Sequence, residues 1–288
     1  MESAKSRIPR SLTQNIGDAD ISYLIYETDG PPIVFLHATG FMPWLWHPVA
    51  RELSPPYRAI APYFCDHRPS DPNSGGLGWR TIAQDFAVFC KSLSLDRPFL
   101  VGHSMGATVL VLAEALFGLN TRGMVLIEPI FLPDAFYSMD ITVDQHPLAS
   151  KAIKRLNFWA DREEALAYLQ SRGLFKKWDK EVLDLYLQHG ITPGDHGGLQ
   201  LTCSPQREAA MFMGGRQHNP WPEPAKIVAP VLVVEGETSD NRAFINLKEV
   251  TSRFPQGHYR LIEGAGHLIP MEQPQVITKV IRDFFSAC

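Results

Sequence analysis

The sequence predicts an α/β fold, a doubly wound and mostly parallel sheet with a helical cap inserted between two of its strands. Three observations carry that prediction. Short runs rich in Val, Ile, Leu and Phe recur along the chain and are apolar at every position, as strands buried on both faces require. Helical patterns separate them, so successive strands are joined by crossovers rather than hairpins. A serine flanked by glycines follows one such strand and opens one such helix.

The predicted strands are the runs at 33–36, 57–64, 99–101, 124–127, 231–234 and 259–262. Thr81-Ile82-Ala83-Gln84 has capping-box spacing, and Ile82, Phe86, Phe89 and Leu93 then mark one helical face. Val276, Ile277, Val280, Ile281 and Phe284 repeat that geometry after Pro274. Between about 131 and 224 the alternation stops and helical segments take over. Asp161-Arg162-Glu163-Glu164 opens one with a capping box, and Asp179 caps another that carries Val182, Leu183, Tyr186 and Leu187. Gly- and Pro-rich stretches at 192–198 and 219–224 lead the chain back. The expected division is therefore a sheet core from 1–130 and 225–288, with 131–224 as a cap. Both flanks are needed to finish one sheet.

Bulk properties narrow the function. Of 288 residues, 27 are Lys or Arg and 31 are Asp or Glu, giving a formal net charge of −4 with no dense basic run. Nucleic acid is not an expected partner. The first twenty residues lack the apolar core of a secretory signal, and no stretch approaches the ~18 apolar residues of a membrane span. Cys65, Cys90, Cys203 and Cys288 are scattered without C-x-x-C spacing, which suits unpaired thiols in a reducing, cytoplasmic compartment. No metal or organic cofactor is expected, and the partner expected is a small molecule.

The chemistry centres on Gly102-His103-Ser104-Met105-Gly106. A serine on a very tight strand-to-helix turn sits in strained backbone, and glycines two residues to either side remove the collisions such a turn creates. The turn aims the hydroxyl into the crevice at the carboxyl end of the sheet, beside the positive end of the following helix. A serine hydroxyl needs an adjacent base to attack at neutral pH. His267, in Glu263-Gly264-Ala265-Gly266-His267 after the last predicted strand, is the best placed of ten histidines.

A carboxylate should fix the imidazole tautomer, and two positions compete. Asp240 follows the 231–234 strand and gives the chain order serine, acid, histidine, which makes it the first choice. Glu128 follows the 124–127 strand and is the alternative. Glu235 and Glu237 flank the tight Gly236 turn and are less suitable. An oxyanion needs two donors. The Met105 amide is one candidate, and the Thr39 amide in His37-Ala38-Thr39-Gly40-Phe41 is the other, with His37 tying that loop down. Phe41, Trp44, Trp46, Phe131, Phe136 and Phe158 are candidate substrate-lining residues.

Together HATGF at 37–41, GHSMG at 102–106, GETSD at 236–240 and GAGHLIP at 264–270 resemble the α/β-hydrolase superfamily over roughly residues 20–130 and 225–288. Two segments depart from the pattern. The oxyanion loop reads His-Ala where many members have His-Gly, and 65–71 replaces a glycine-rich turn. Some superfamily members resembling dehalogenases and lactonases take their acid from the position Glu128 occupies, but Ser104 argues against haloalkane chemistry. The resemblance implies a serine hydrolase for a small, largely apolar ester or lactone. C–C bond hydrolysis, acyl transfer and a hydrolase-fold ligand receptor are the alternatives.

Overall fold

A computed structural model describes residues 8–64, 66–195 and 197–288; Cys65 lies outside them. The strands are β1 (Arg10–Asn15), β2 (Asp20–Tyr26), β3 (Pro32–Leu36), β4 (Arg58–Pro62), β5 (Phe99–His103), β6 (Gly123–Ile127), β7 (Ile191–Pro193), β8 (Leu199–Leu201), β9 (Val231–Gly236) and β10 (Gly257–Ile262). Eight of them form one sheet in the order β1-β2-β4-β3-β5-β6-β9-β10. Strand β2 runs against both of its neighbours, and the pairs from β4 to β10 are parallel.

Helices α1 (His47–Leu53), α2 (Trp79–Ser92) and α3 (Met105–Phe117) fall between the early strands. Five more, α4 (Asp134–Tyr137), α5 (Ala149–Ala152), α6 (Arg162–Ser171), α7 (Lys180–His189) and α8 (Pro205–Gly214), lie in the excursion between β6 and β9. The chain ends with α9 (Leu247–Ser252), α10 (Ile269–Glu272) and α11 (Pro274–Phe285).

Alternation along the central strands builds two cores. Val34, Leu36, Leu100, Leu126 and Val233 point to the face covered by α2, α3 and α9. Ile33, Phe35, Val101, Val125 and Val234 point to the face covered by α1 and α11. This is why the central runs read as continuously apolar: each parity meets its own helical layer. Full burial of one such side chain contributes ~1.5–3 kcal/mol, and Leu100→Ala should cost ~2–5 kcal/mol once its cavity is included. Helix α3 is buried from Met105 through Ala113, as a helix pressed between the sheet and other helices must be.

The sheet begins earlier than the sequence predicts. Strands β1 and β2 form a hairpin closed by the Ile16 amide on the Ala19 carbonyl, with Gly17 at a φ of +109°. Its edge strand, Arg-Ser-Leu-Thr-Gln-Asn, is half solvated and has no apolar run to announce it. The Thr81 capping box is also not used. Helix α2 starts at Trp79, three residues earlier than a Thr81 cap would place it, behind an extended Gly78, where the Trp79 indole donates to the Met211 carbonyl at 2.8 Å.

In the excursion, Asp161 and Asp179 do cap α6 and α7, accepting from the amides of Glu164 and Glu181 at 2.9 Å each. Strands β7 and β8 add a small antiparallel ribbon that the helical reading of this stretch omitted. Because β6 and β9 are paired neighbours, the excursion leaves and re-enters the sheet at adjacent strands. It is held down by α8, where the Leu77 amide meets the Ala210 carbonyl at 3.1 Å. Ion pairing of Arg51 in α1 with Glu181, and the Asp179 amide on the Met271 carbonyl at 2.8 Å, hold it elsewhere.

Candidate active site

Ser104 links β5 to α3 with φ +55° and ψ −119°, a conformation side chains rarely adopt and one that costs ~1–3 kcal/mol. The glycines on either side make it possible. A Cβ at Gly102 would lie 2.6 Å from Ala107 Cα, and one at Gly106 would lie 2.6 Å from the carbonyl oxygens of Leu36 and His37. The Ser104 amide bonds the Ile127 carbonyl at 2.8 Å, which locks the turn to β6.

His267 reaches this serine from the loop after β10. Its Nε2 stands 3.1 Å from Ser104 Oγ, and its Nδ1 stands 3.0 Å from Glu128 Oε2. The loop is fixed on several sides. The Gly266 amide donates to Glu272 at 2.6 Å, the Thr238 amide donates to the Ala265 carbonyl at 2.9 Å, and His103 Nε2 donates to the His267 carbonyl at 2.9 Å. His103 is fully buried; desolvation, with the neighbouring His267 adding to it, lowers its pKa to about 3, so it stays a neutral donor.

Glu128 follows β6 directly, at a φ of +51°, and is completely buried. The Gly236 amide donates to its Oε1 and Ser239 Oγ to its Oε2, both at 2.7 Å. The geometry brings Glu128, the alternative acid, to His267 and does not bring Asp240, the first choice. Asp240 is exposed at the start of a 3₁₀ turn (Asp240–Ala243), and among the described residues no hydrogen bond joins it to His267. The turn directs Ser239 inward onto Glu128, sends Asp240 out to solvent, and brings Asn241 back to within 2.9 Å of His267 Nδ1. Of the other acids, Glu235 is buried against Arg242 and Tyr259, while Glu237 accepts from the Gly264 amide at 2.9 Å.

The loop after β3 packs against the start of α3. His37 Nδ1 donates to the Ala38 carbonyl at 2.9 Å and its Nε2 accepts from the Phe64 amide at 3.1 Å, which ties the loop to the end of β4. Burial lowers the His37 pKa to about 4, keeping it neutral for both bonds. Gly40 has a φ of +76° and lies so close to Glu208 that a Cβ would come 2.6 Å from Oε1. Thr39 is buried beside this contact, and Met105 is the first residue of α3, where an amide has no intrahelical acceptor.

The six lining candidates separate. Phe41 packs edge-on against Trp178 and Tyr186 where the excursion meets the loop, and with Gly40, Tyr63, Tyr186 and Thr202 it lines a small cavity. Trp44 stacks on His189 with centroids 3.9 Å apart. Two others lie in the core. Trp46 packs on Phe35 beneath the sheet, and Phe131 is fully buried against Trp221. Phe136 lies edge-on to His146 within the excursion, and Phe158 is 57% exposed. Aromatic type alone does not distinguish a pocket wall from a core position, which explains these misses.

Sequence reasoning did not single out Ser239, Asn241 or the donor role of His103. Nor did it find the ion pair between Arg155 and Glu208, which has Tyr186 beside it and Gly40 against Glu208. Among the described residues no three His, Cys, Asp or Glu side chains converge in a metal-binding group, and no helix is long and apolar enough to cross a membrane.

Comparison with known proteins agrees with the fold. The chain is similar to 2-(acetamidomethylene)succinate hydrolase of Mesorhizobium japonicum, with 26% identity over 90% of this chain and 89% of the relative. It is 27% identical to monoglyceride lipase of Rattus norvegicus over 72% of this chain and 66% of the relative. The crystal structure of E-2-(acetamidomethylene)succinate hydrolase superposes with a TM-score of 0.82 at 23% identity, covering 97% of this chain and all of the other. The family model for alpha/beta hydrolases matches residues 33–280. The chain belongs to the alpha/beta hydrolase family.

Proposed function

We propose that the protein is a serine hydrolase that cleaves a small, largely apolar carboxylic ester or lactone through an acyl-enzyme on Ser104. The observation that carries this reading is the continuous line from Ser104 Oγ through His267 to buried Glu128, at the carboxyl ends of parallel strands. His267 Nε2 takes the hydroxyl proton as Oγ attacks the carbonyl carbon. The imidazolium, steadied by Glu128 at Nδ1, returns that proton to the leaving oxygen as its bond to carbon breaks. Water then attacks the acyl carbon, giving a proton to Nε2 that passes back to Ser104 as the acid departs. The amides of Met105 and Thr39 receive the oxyanion in both halves, each typically worth a factor of about 10²–10³.

In this reading residues 131–224 act as the cap, and the substrate lies between it and the loop after β3, with Phe41 and Trp44 as walls. The site of action is the cytoplasm. The similarity to a hydrolase named for an acetamido-bearing succinate supports a second substrate class, an acyclic amide cleaved through the same acyl-enzyme. A panel of chromogenic esters, lactones and acyclic amides separates the classes. Intact-protein mass spectrometry during turnover should show Ser104 gaining the acyl mass, with neither adduct nor turnover in Ser104→Ala. Full turnover by Ser104→Ala would overturn the reading.

A further inference from the structure

His267 Nδ1 has two neighbours at hydrogen-bond distance, Glu128 Oε2 at 3.0 Å and the Asn241 side-chain amide at 2.9 Å. A ring nitrogen carries one proton or one lone pair, so the two contacts make different demands. Glu128 accepts, and therefore wants the proton on Nδ1. Asn241 presents Nδ2, a donor, which suits an Nδ1 without a proton. For Nε2 to act as base toward Ser104, the neutral ring must carry its proton on Nδ1. A half-turn of the Asn241 amide then brings Oδ1 to the same place, and the proton is shared between Oδ1 and Glu128 Oε2. With Oδ1 in that place, Asn241 is a second acceptor for the Nδ1 proton that the basic tautomer carries.

We propose that Asn241 is a positioning residue for His267, a second acceptor that holds the imidazole in its basic tautomer, and that its position can itself carry the triad acid. This rests on the assignment of Ser104 and His267 as nucleophile and base. The turn gives the proposal its geometry: Ser239 and Asn241 are the two side chains it sends inward, one to each member of the Glu128–His267 pair. A carboxylate at 241 would face the same Nδ1 that Glu128 faces.

Other charged and titratable groups around His267 have their own partners or point away. His103 lies beside its ring, with centroids 5.2 Å apart, and is held neutral by burial. Glu272 from α10 accepts from the Gly266 amide, and Lys177 lies 3.4 Å from the Gly264 carbonyl. Asp240 is exposed, and Glu235 is paired with Arg242.

The test uses the full-length protein and four variants: Asn241→Leu, Asn241→Asp, Glu128→Gln, and Glu128→Gln combined with Asn241→Asp. Asn241→Leu should lower kcat about tenfold at unchanged KM. It should also move the acidic limb of kcat/KM to lower pH, because an acceptor of the imidazolium proton is gone. Asn241→Asp adds a carboxylate beside the ring and should move that limb to higher pH. The double variant should recover at least tenfold over Glu128→Gln alone.

Nitrogen-15 NMR of His267 supplies a readout independent of turnover. The fraction of ring with Nδ1 protonated should fall in Asn241→Leu, with thermal melting used to check that each variant is folded. An unchanged tautomer ratio and pH profile in Asn241→Leu, or no recovery in the double variant, would overturn the proposal. If Ser104→Ala turns over normally, the nucleophile assignment fails as well. If Ser104→Ala is inactive while the Asn241 variants behave like wild type, only the present inference fails.

Discussion

Glu128 and His267 meet at 3.0 Å although they lie 139 positions apart, and Glu128 accepts two further hydrogen bonds, from the Gly236 amide at the end of β9 and from Ser239 in the turn after it. Glu128 thus sits one strand nearer Ser104 in the sheet than the loop that holds Asp240.

That placement separates the two carboxylates by experiment. Glu128→Gln keeps the shape but removes the charge that stabilises an imidazolium, so kcat should fall by about 10²–10⁴. Asp240→Asn alters an exposed turn residue and should stay within about twofold of wild type. Steady-state kinetics on one chromogenic ester decide it; the reverse pattern would return the acid to Asp240.

Strain at the serine should be visible as stability. Ser104 holds φ +55° and ψ −119°, which glycine adopts at little cost. Ser104→Gly should therefore be inactive yet more stable than wild type, by about 1 kcal/mol in urea unfolding. A loss of stability would mean the turn is not under strain.

Gly106 tests the contact between α3 and the loop after β3. A methyl group there would collide with the carbonyl oxygens of Leu36 and His37. Gly106→Ala should push apart the Met105 and Thr39 amides, proposed as the oxyanion donors, and reduce kcat by about 10²–10³, with a stability loss of about 1–3 kcal/mol. Acylation rates measured by stopped flow, beside thermal melts, separate the two effects.

Buried His37 and His103 predict an acid limb in stability. Their pKa values are lowered in the folded protein, from 6.5 to about 4 and about 3, mainly by desolvation. The unfolded chain takes up protons below pH 6.5 that the folded chain refuses, so stability falls as pH drops from there and is unaffected above it. Each group contributes a slope of up to about 1.4 kcal/mol per pH unit until its folded pKa is reached. Urea unfolding at pH 7, 5.5 and 4.5 should show a shallower decline in His37→Gln than in wild type; equal slopes would refute this origin.

Much of the fold is legible in the sequence because burial on both faces leaves continuous apolar runs at β3, β5, β6 and β9. The hairpin of β1 and β2 is not, since its solvated edge carries polar residues that a loop could carry equally well. At the candidate site, Ser104 can be picked out because its turn demands glycines at fixed spacing. The acid cannot, because Asp240 and Glu128 both follow strands of the right type. Only the direction of the turn at 239–241 distinguishes them, and that depends on backbone angles no side-chain pattern records. Among the aromatic candidates, Trp46 and Phe131 fill core space that any large apolar residue at those positions would seek.

The pairing of β6 with β9 has a consequence for how such a protein can change. The whole excursion from 131 to 224 departs from one strand and returns beside it, and the two ends are stitched together by Glu128 on one side with Gly236 and Ser239 on the other. On the proposed reading, the residues that would select a substrate and those that would attack it thereby lie on separable lengths of chain. Lengthening, shortening or exchanging the intervening helices should therefore leave the register of Ser104, Glu128 and His267 in place, and on the proposed reading would change which substrate is admitted while leaving the attack itself intact.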